Sequence, residues 1–214
     1  TGKTFTLESR IIYMIKKFNV NPNHILGITY TEKGANELKS RIVKQIGKKG
    51  EALTINTFHS FCFKILKEYT PLASMQLLEE SEAIHLFLER FDELGPFKSD
   101  EFAMDPQNAI VSSFIPFFNR MRDELIEISN LSIKHNENDS SQEIHNQLID
   151  LKRIYPIFQK WKQNINVIDY GDMILSCYEL LKSNKKILSL IQRKYRNIII
   201  DEFQDNNFAL NEII

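Results

Sequence analysis

The sequence predicts an α/β fold in which a parallel sheet is flanked by helices and interrupted by a long helical insertion. Three observations carry that prediction. Short apolar runs rich in β-branched residues, at 24–29, 53–57 and 197–200, alternate with stretches of helical period, the order expected of strands and crossover helices in a parallel sheet. Between Met75 and Asn164 the alternation stops and only helical periodicity is left. It then resumes, and the last apolar run ends in two adjacent carboxylates, Asp201 and Glu202. The expected organisation is a core in two pieces, 1–74 and 165–214, around an inserted all-helical subdomain at 75–164.

Taken in order, Leu7, Ile11, Met14, Ile15 and Phe18 recur at helical spacing, and Asn21-Pro22 closes that helix. His24 to Thr29 reads as a buried strand, after which Thr31 caps a helix carrying Ala35, Leu38, Ile42 and Ile46 up to Gly47. Leu53 to Thr57 reads as the next strand, and Phe58, Phe61, Cys62, Ile65, Leu66 and Tyr69 line one face of the helix that Pro71 stops. In the middle, helical faces cover Ala83 to Leu94, Ile110 to Ile128 and about 143–162. Pro116 and Pro156 are expected to kink or restart these helices. The polar stretch Ser129 to Ser141 reads as a mobile surface loop. Asp169 is placed to cap a helix with Met173, Ile174, Cys177, Leu180 and Leu181, a further helix covers Ile187 to Lys194, and Asn197 to Ile200 reads as a buried strand.

Hydrophobic residues make up 43% and charged residues 26% of the 214, with net charge −1. That is an ordinary globular composition, and no apolar run approaches a membrane span. No signal peptide is visible, so the cytoplasm is the expected location, without a membrane partner. Cys62 and Cys177 lie on apolar helical faces without CxxC spacing, as buried free thiols do. The charge is uneven: residues 1–74 hold 12 basic and 5 acidic side chains, 75–164 hold 9 and 16, and 165–214 hold 6 and 7. A basic first third suits a polyanion, while an acidic middle does not track a nucleic-acid backbone by charge. A solvated surface of uneven charge accounts for the same counts.

Two stretches carry chemistry. Thr1-Gly2-Lys3-Thr4 before a helix is the tail of a phosphate-binding loop, G-x-x-x-x-G-K-[ST]. In such a loop, backbone N–H groups at the helix start attract phosphate, the lysine reaches the β and γ phosphates, and the hydroxyl holds Mg²⁺. Asp201 and Glu202 follow an apolar strand, and ligands of open α/β sheets sit outside the carboxyl ends of strands. Capping of the following helix explains an isolated Asp-Glu pair equally well; with Gly2, Lys3 and Thr4 it becomes a nucleotide-hydrolysis pair.

Thr1–Thr4, then Ile28-Thr29-Tyr30-Thr31-Glu32-Lys33-Gly34-Ala35-Asn36-Glu37-Leu38, then Thr57-Phe58-His59-Ser60-Phe61, and finally Asp201-Glu202-Phe203-Gln204-Asp205 resemble, in order, the first four motif blocks of UvrD/Rep-type superfamily 1 DNA helicases. The resemblance covers nearly the whole chain and implies the first RecA-like, P-loop motor domain with its helical insertion. It implies ATP and Mg²⁺ as cofactors. Gly2, Lys3 and Thr4 would bind ATP, Thr4 and Asp201 would hold Mg²⁺, Glu202 would activate the attacking water, and Gln204 would sense the γ-phosphate. Thr29, Tyr30, Thr31, Thr57 and His59 would lie along single-stranded DNA. The implied partners are single-stranded DNA, single-strand/duplex junctions and a second motor domain of the same protein; the acidic insertion is expected to meet a protein partner.

The resemblance further implies that residue 1 falls inside the phosphate loop and residue 214 just past the acidic motif, so that this stretch alone would be inactive. Glu32 stands where family members commonly have Asn, Phe5 where the closest UvrD relatives have Arg, and Leu210 where many have Gln. Asp169-Tyr170-Gly171-Asp172-Met173 matches the family's D-F-D-D-L element at its acidic ends. The motor arm of a RecB- or AddA-like helicase–nuclease, and a degenerate P-loop scaffold, are the alternative readings.

Overall fold

The computed structural model describes residues 2–132 and 139–214, apart from the side chains at positions 3, 73 and 139–141. Along the chain, helix α1 (Gly2–Phe18) leads to strand β1 (Ile25–Thr29), helix α2 (Glu32–Ile46), strand β2 (Thr54–Thr57) and helix α3 (Phe58–Tyr69). Strand β3 (Gln76–Leu77) and helices α4 (Glu80–Glu89) and α5 (Asp100–Met104) follow. A turn at Pro106–Asn108 and a π-helical stretch, Ala109–Phe114, come before α6 (Ile115–Asp123), α7 (Asp139–Asn164) and strand β4 (Val167–Ile168). Then come α8 (Tyr170–Ser183), α9 (Lys185–Lys194), β5 (Asn197–Ile200) and α10 (Phe208–Ile213). These elements form two compact units, Thr1–Pro71 with Ser176–Ile214, and Leu72–Leu175.

The first unit is built on a parallel sheet of order β2-β1-β5. All five residues of β1 are buried, because it is hydrogen-bonded on both sides and covered on both faces. On one face α1 and α2 lay Leu7, Ile11, Ile15, Ala35, Leu38 and Ile42 against Ile25, Leu53 and Ile55. On the other, Leu26 and Ile28 meet Phe58, Phe61, Leu181, Ile191 and Tyr195, as the period-2 alternation of a strand requires. A Cβ at Gly27 would stand 3.3 Å from Ile55 Cγ1, which is how closely β2 approaches β1. The local signals act as expected: Thr31 Oγ1 accepts the Gly34 N–H at 3.0 Å, and Gly47 leaves α2 with φ of 70°. Cys62 and Cys177 are buried free thiols.

One expectation fails here. Asn197–Ile200 is not a buried strand: Ile198 is 37% exposed and the other three residues are half-buried. Among the described residues β5 pairs on one side only, which leaves its isoleucines partly open.

The second unit packs Phe87, Phe114, Phe118, Phe158 and Trp161 into one aromatic core, with Phe87 stacked on Phe158 at 4.4 Å between ring centroids. It is not all-helical, because Gln76 and Leu77 pair in parallel with Val167 and Ile168. Two residues per strand are too few to show a period of two. Pro116 starts α6 as expected, but α7 runs unbroken through Pro156. A proline costs one backbone hydrogen bond in a helix, and Ile154, Phe158 and Trp161, buried in one core on both sides of it, hold the helix together. Of the loop expected at 129–141, positions 133–138 lie outside the described residues, Ile128–Asn130 forms a 3-10 turn, and α7 begins at Asp139. No helix among the described residues is long and apolar enough to cross a membrane.

Candidate functional site

Parallel strands release their carboxyl ends on one edge of the sheet, and the register sharpens this. Thr29 pairs with Thr57 and Ile28 with Ile200, so Tyr30, Phe58 and Asp201 leave the sheet at nearly one level. The Asp201 N–H donates to Ile28 O at 2.8 Å, tying the acidic turn to β1. Helix α1 enters β1 through a short connection and so runs back against the strand direction. Its 17 residues reach about 25 Å, enough to bring its first turn, with Gly2 exposed and Thr4 half-buried, to the carboxyl edge. Thr1 and the Lys3 side chain lie outside the described residues.

At the acidic turn, Asp201 and Glu202 are half-buried and Gln204 and Asp205 exposed. Glu202 has φ of 53° and ψ of 45°, a left-handed conformation that costs a non-glycine residue energy and that collects at functional sites. The Gln204 amide donates to Glu202 Oε2. Among the described residues, the Asp201 side chain has neither a hydrogen bond nor an ion pair. A half-buried carboxylate with free lone pairs suits a hard cation, and Mg²⁺ takes one or two protein oxygens and fills the rest with water and phosphate.

The second and third blocks arrive side by side. Thr29, buried, donates its hydroxyl to Thr31 O at 3.1 Å. Thr31 caps α2 and Thr57 caps α3, its Oγ1 accepting the Ser60 N–H at 3.2 Å. Thr57 also donates its own hydroxyl to Glu32 Oε1 at 2.8 Å. The three threonine hydroxyls are therefore engaged in shaping the edge, while Tyr30 projects, 77% exposed. His59 is exposed next to buried Phe58, and desolvation lowers its pKa, so the ring is neutral at pH 7.

The UvrD/REP helicase N-terminal domain family matches the sequence over residues 1–214. The chain belongs to the UvrD/REP helicase family. It is 30% identical over 220 residues to a probable DNA helicase II homolog of Mycoplasma pneumoniae, covering 100% of this chain and 29% of that protein. A homolog of the same description in Mycoplasma capricolum is 29% identical over 97% of this chain and 28% of its own length. The ATP-dependent DNA helicase PcrA of Staphylococcus aureus is 27% identical over 98% of this chain and 27% of its own length. The chain thus spans under a third of each of these relatives.

Two sets of contacts in this UvrD/REP domain are not foreseen from the sequence. One is Glu32 with Ser60, which donates its hydroxyl to the same Glu32 Oε1. The other lies in the second unit. Arg122, 4% exposed, donates to Asp169 Oδ1 at 2.8 Å and Asp172 Oδ1 at 2.6 Å, and Lys162, 1% exposed, donates to Asp169 Oδ2 at 2.5 Å and also to Asp172 Oδ2. The acidic ends of Asp169–Met173 thus close a buried four-charge cluster as well as capping α8, where Asp169 accepts the Asp172 N–H at 2.8 Å. Its signal was faint: single cations set among Phe118, Met121, Phe158 and Trp161 on otherwise apolar helical faces.

Proposed function

We propose that the chain is the first motor domain, with an inserted helical subdomain, of an ATP-dependent DNA helicase that couples hydrolysis to 3′→5′ movement on single-stranded DNA and to duplex unwinding. The observation that carries this reading is the meeting, on one sheet edge, of the acidic turn and the two threonine-capped helix starts, in a chain matched throughout by the helicase family. Nucleotide chemistry and strand contact on one rigid edge provide a short route for coupling.

In this reading Gly2, Lys3 and Thr4 bind ATP, with Lys3 neutralising the transferring phosphate, and Thr4 and Asp201 would hold Mg²⁺. Bound Mg²⁺ supplies further charge neutralisation at the phosphates. Glu202 orients the attacking water and takes its proton, and Gln204, hydrogen-bonded to Glu202, relays the state of the nucleotide. Tyr30 and His59 contact the strand beside exposed Thr31, while Thr29 and Thr57, buried with their hydroxyls engaged, shape that edge from beneath. A second motor domain completes the nucleotide site, single-strand/duplex junctions are the substrate, and the acidic second unit receives a protein partner.

The test is made in the complete protein. Glu202→Gln is expected to bind ATP as the wild type does while turnover falls by about 10² or more; Lys3→Ala is expected to weaken nucleotide binding itself. Unchanged turnover in Glu202→Gln removes Glu202 from the catalytic role.

A further inference from the structure

Glu32 opens α2 yet reaches α3. Its Oε1 accepts the Thr57 hydroxyl at 2.8 Å and the Ser60 hydroxyl as well, and those two residues are the cap and third position of α3. One carboxylate therefore serves two adjacent helix starts, where unpaired N–H groups and the positive ends of the helix dipoles favour an anion. A phosphate of a bound strand would seek the same place. The hydrogen bonds from Ser60 and Thr57 outweigh a slight desolvation and lower the Glu32 pKa, so the position is negatively charged at neutral pH. Two residues upstream, Tyr30 offers an exposed ring.

We infer that Glu32 is a positioning residue of the strand-binding edge: it ties α2 to α3 and fills the anion position itself, so that a strand is taken here by a base stacked on Tyr30 and not by a phosphate. The inference rests on the strand-contact part of the proposed function. It concerns single-stranded nucleic acid of any sequence, because stacking on an aromatic face does not read bases.

The test is equilibrium binding of a labelled oligothymidylate to the complete protein across a salt series. Glu32→Gln keeps an acceptor for the hydroxyls and loses the charge. It is expected to bind about threefold tighter at low salt, with the slope of log K against log salt steeper by about 0.7, the increment for one added phosphate contact on a single strand. Glu32→Ala, which also loses the tie, is expected to show the steeper slope with weaker binding than Glu32→Gln. Tyr30→Ala is expected to lose about tenfold in affinity. Unchanged slopes in both Glu32 variants, with Tyr30→Ala still losing tenfold, overturn the role of Glu32 alone. Unchanged binding in Tyr30→Ala and in both Glu32 variants overturns the strand-contact reading, and this inference with it.

Discussion

A Cβ added at Gly171 would stand 2.6 Å from Arg122 Cζ and Nε. An arginine tip usually swings away from such an intrusion, but this one is held by Phe118 O at 3.2 Å, Asn119 Oδ1 at 2.6 Å and the two aspartates. Gly171→Ala is therefore expected to destabilise the protein by about 1–3 kcal/mol, against the usual preference for Ala in a helix, as urea unfolding would measure. Arg122→Ala should be worse, about 3–5 kcal/mol, since it leaves two aspartates, each 13% exposed, with Lys162 alone. The same cluster sets a pH limit. Burial works against the Asp169 carboxylate, but the charges of Arg122 and Lys162 outweigh it and hold its pKa below the usual value. A group depressed in the folded state contributes its stability above its unfolded pKa, about 3.9, and loses it as pH falls through the folded value. Acid unfolding followed below about pH 4 should show this loss in the wild type, and Asp169→Asn should lack it. None of this was legible at single positions: Asp169 reads as a cap, which it is, but its second role depends on two cations 47 and 7 residues away in sequence.

Among elements, legibility followed the range of the forces involved. Caps act within one turn, so Thr31 and the positive-φ exit at Gly47 could be read from short patterns and stand where expected, whereas Thr57, read only as a strand end, caps α3 as well. Thr31→Ala should cost about 1 kcal/mol in thermal or urea unfolding, and Thr57→Ala more, because it also strips a hydroxyl from Glu32. Strand environment depends on neighbours far along the chain. The isoleucines of β5 carry the same apolar signal as those of β1, yet among the described residues β1 has a neighbour on both sides and β5 on one. The β3–β4 ladder joins residues about ninety positions apart and has no periodicity to reveal it. At Pro156 the tertiary core overrode the local helix breaker.

At the scale of the whole molecule, the division of charge follows the two units. Thr1–Pro71 with Ser176–Ile214 holds 18 basic and 10 acidic residues, whereas Leu72–Leu175 holds 9 and 18. If a strand is gathered by the first unit, charge reversal there should weaken binding and flatten its salt dependence. Lys33→Glu with Lys44→Glu, both exposed on α2, is expected to lower single-strand affinity of the complete protein about tenfold near 50 mM salt. Glu80→Lys with Asp92→Lys, exposed on the second unit, is expected to change it less than twofold. Comparable losses from both pairs would return the asymmetry to a mere solvated surface.

The left-handed backbone at Glu202 sets folding and chemistry at odds within one residue. Glycine adopts that conformation without steric cost, so Glu202→Gly should fold at least as stably as the wild type, gaining up to about 1 kcal/mol, and yet lose turnover if Glu202 is the base proposed above. A glutamate held in this conformation gives up backbone stability that a glycine would keep, the trade expected where a residue serves chemistry before folding.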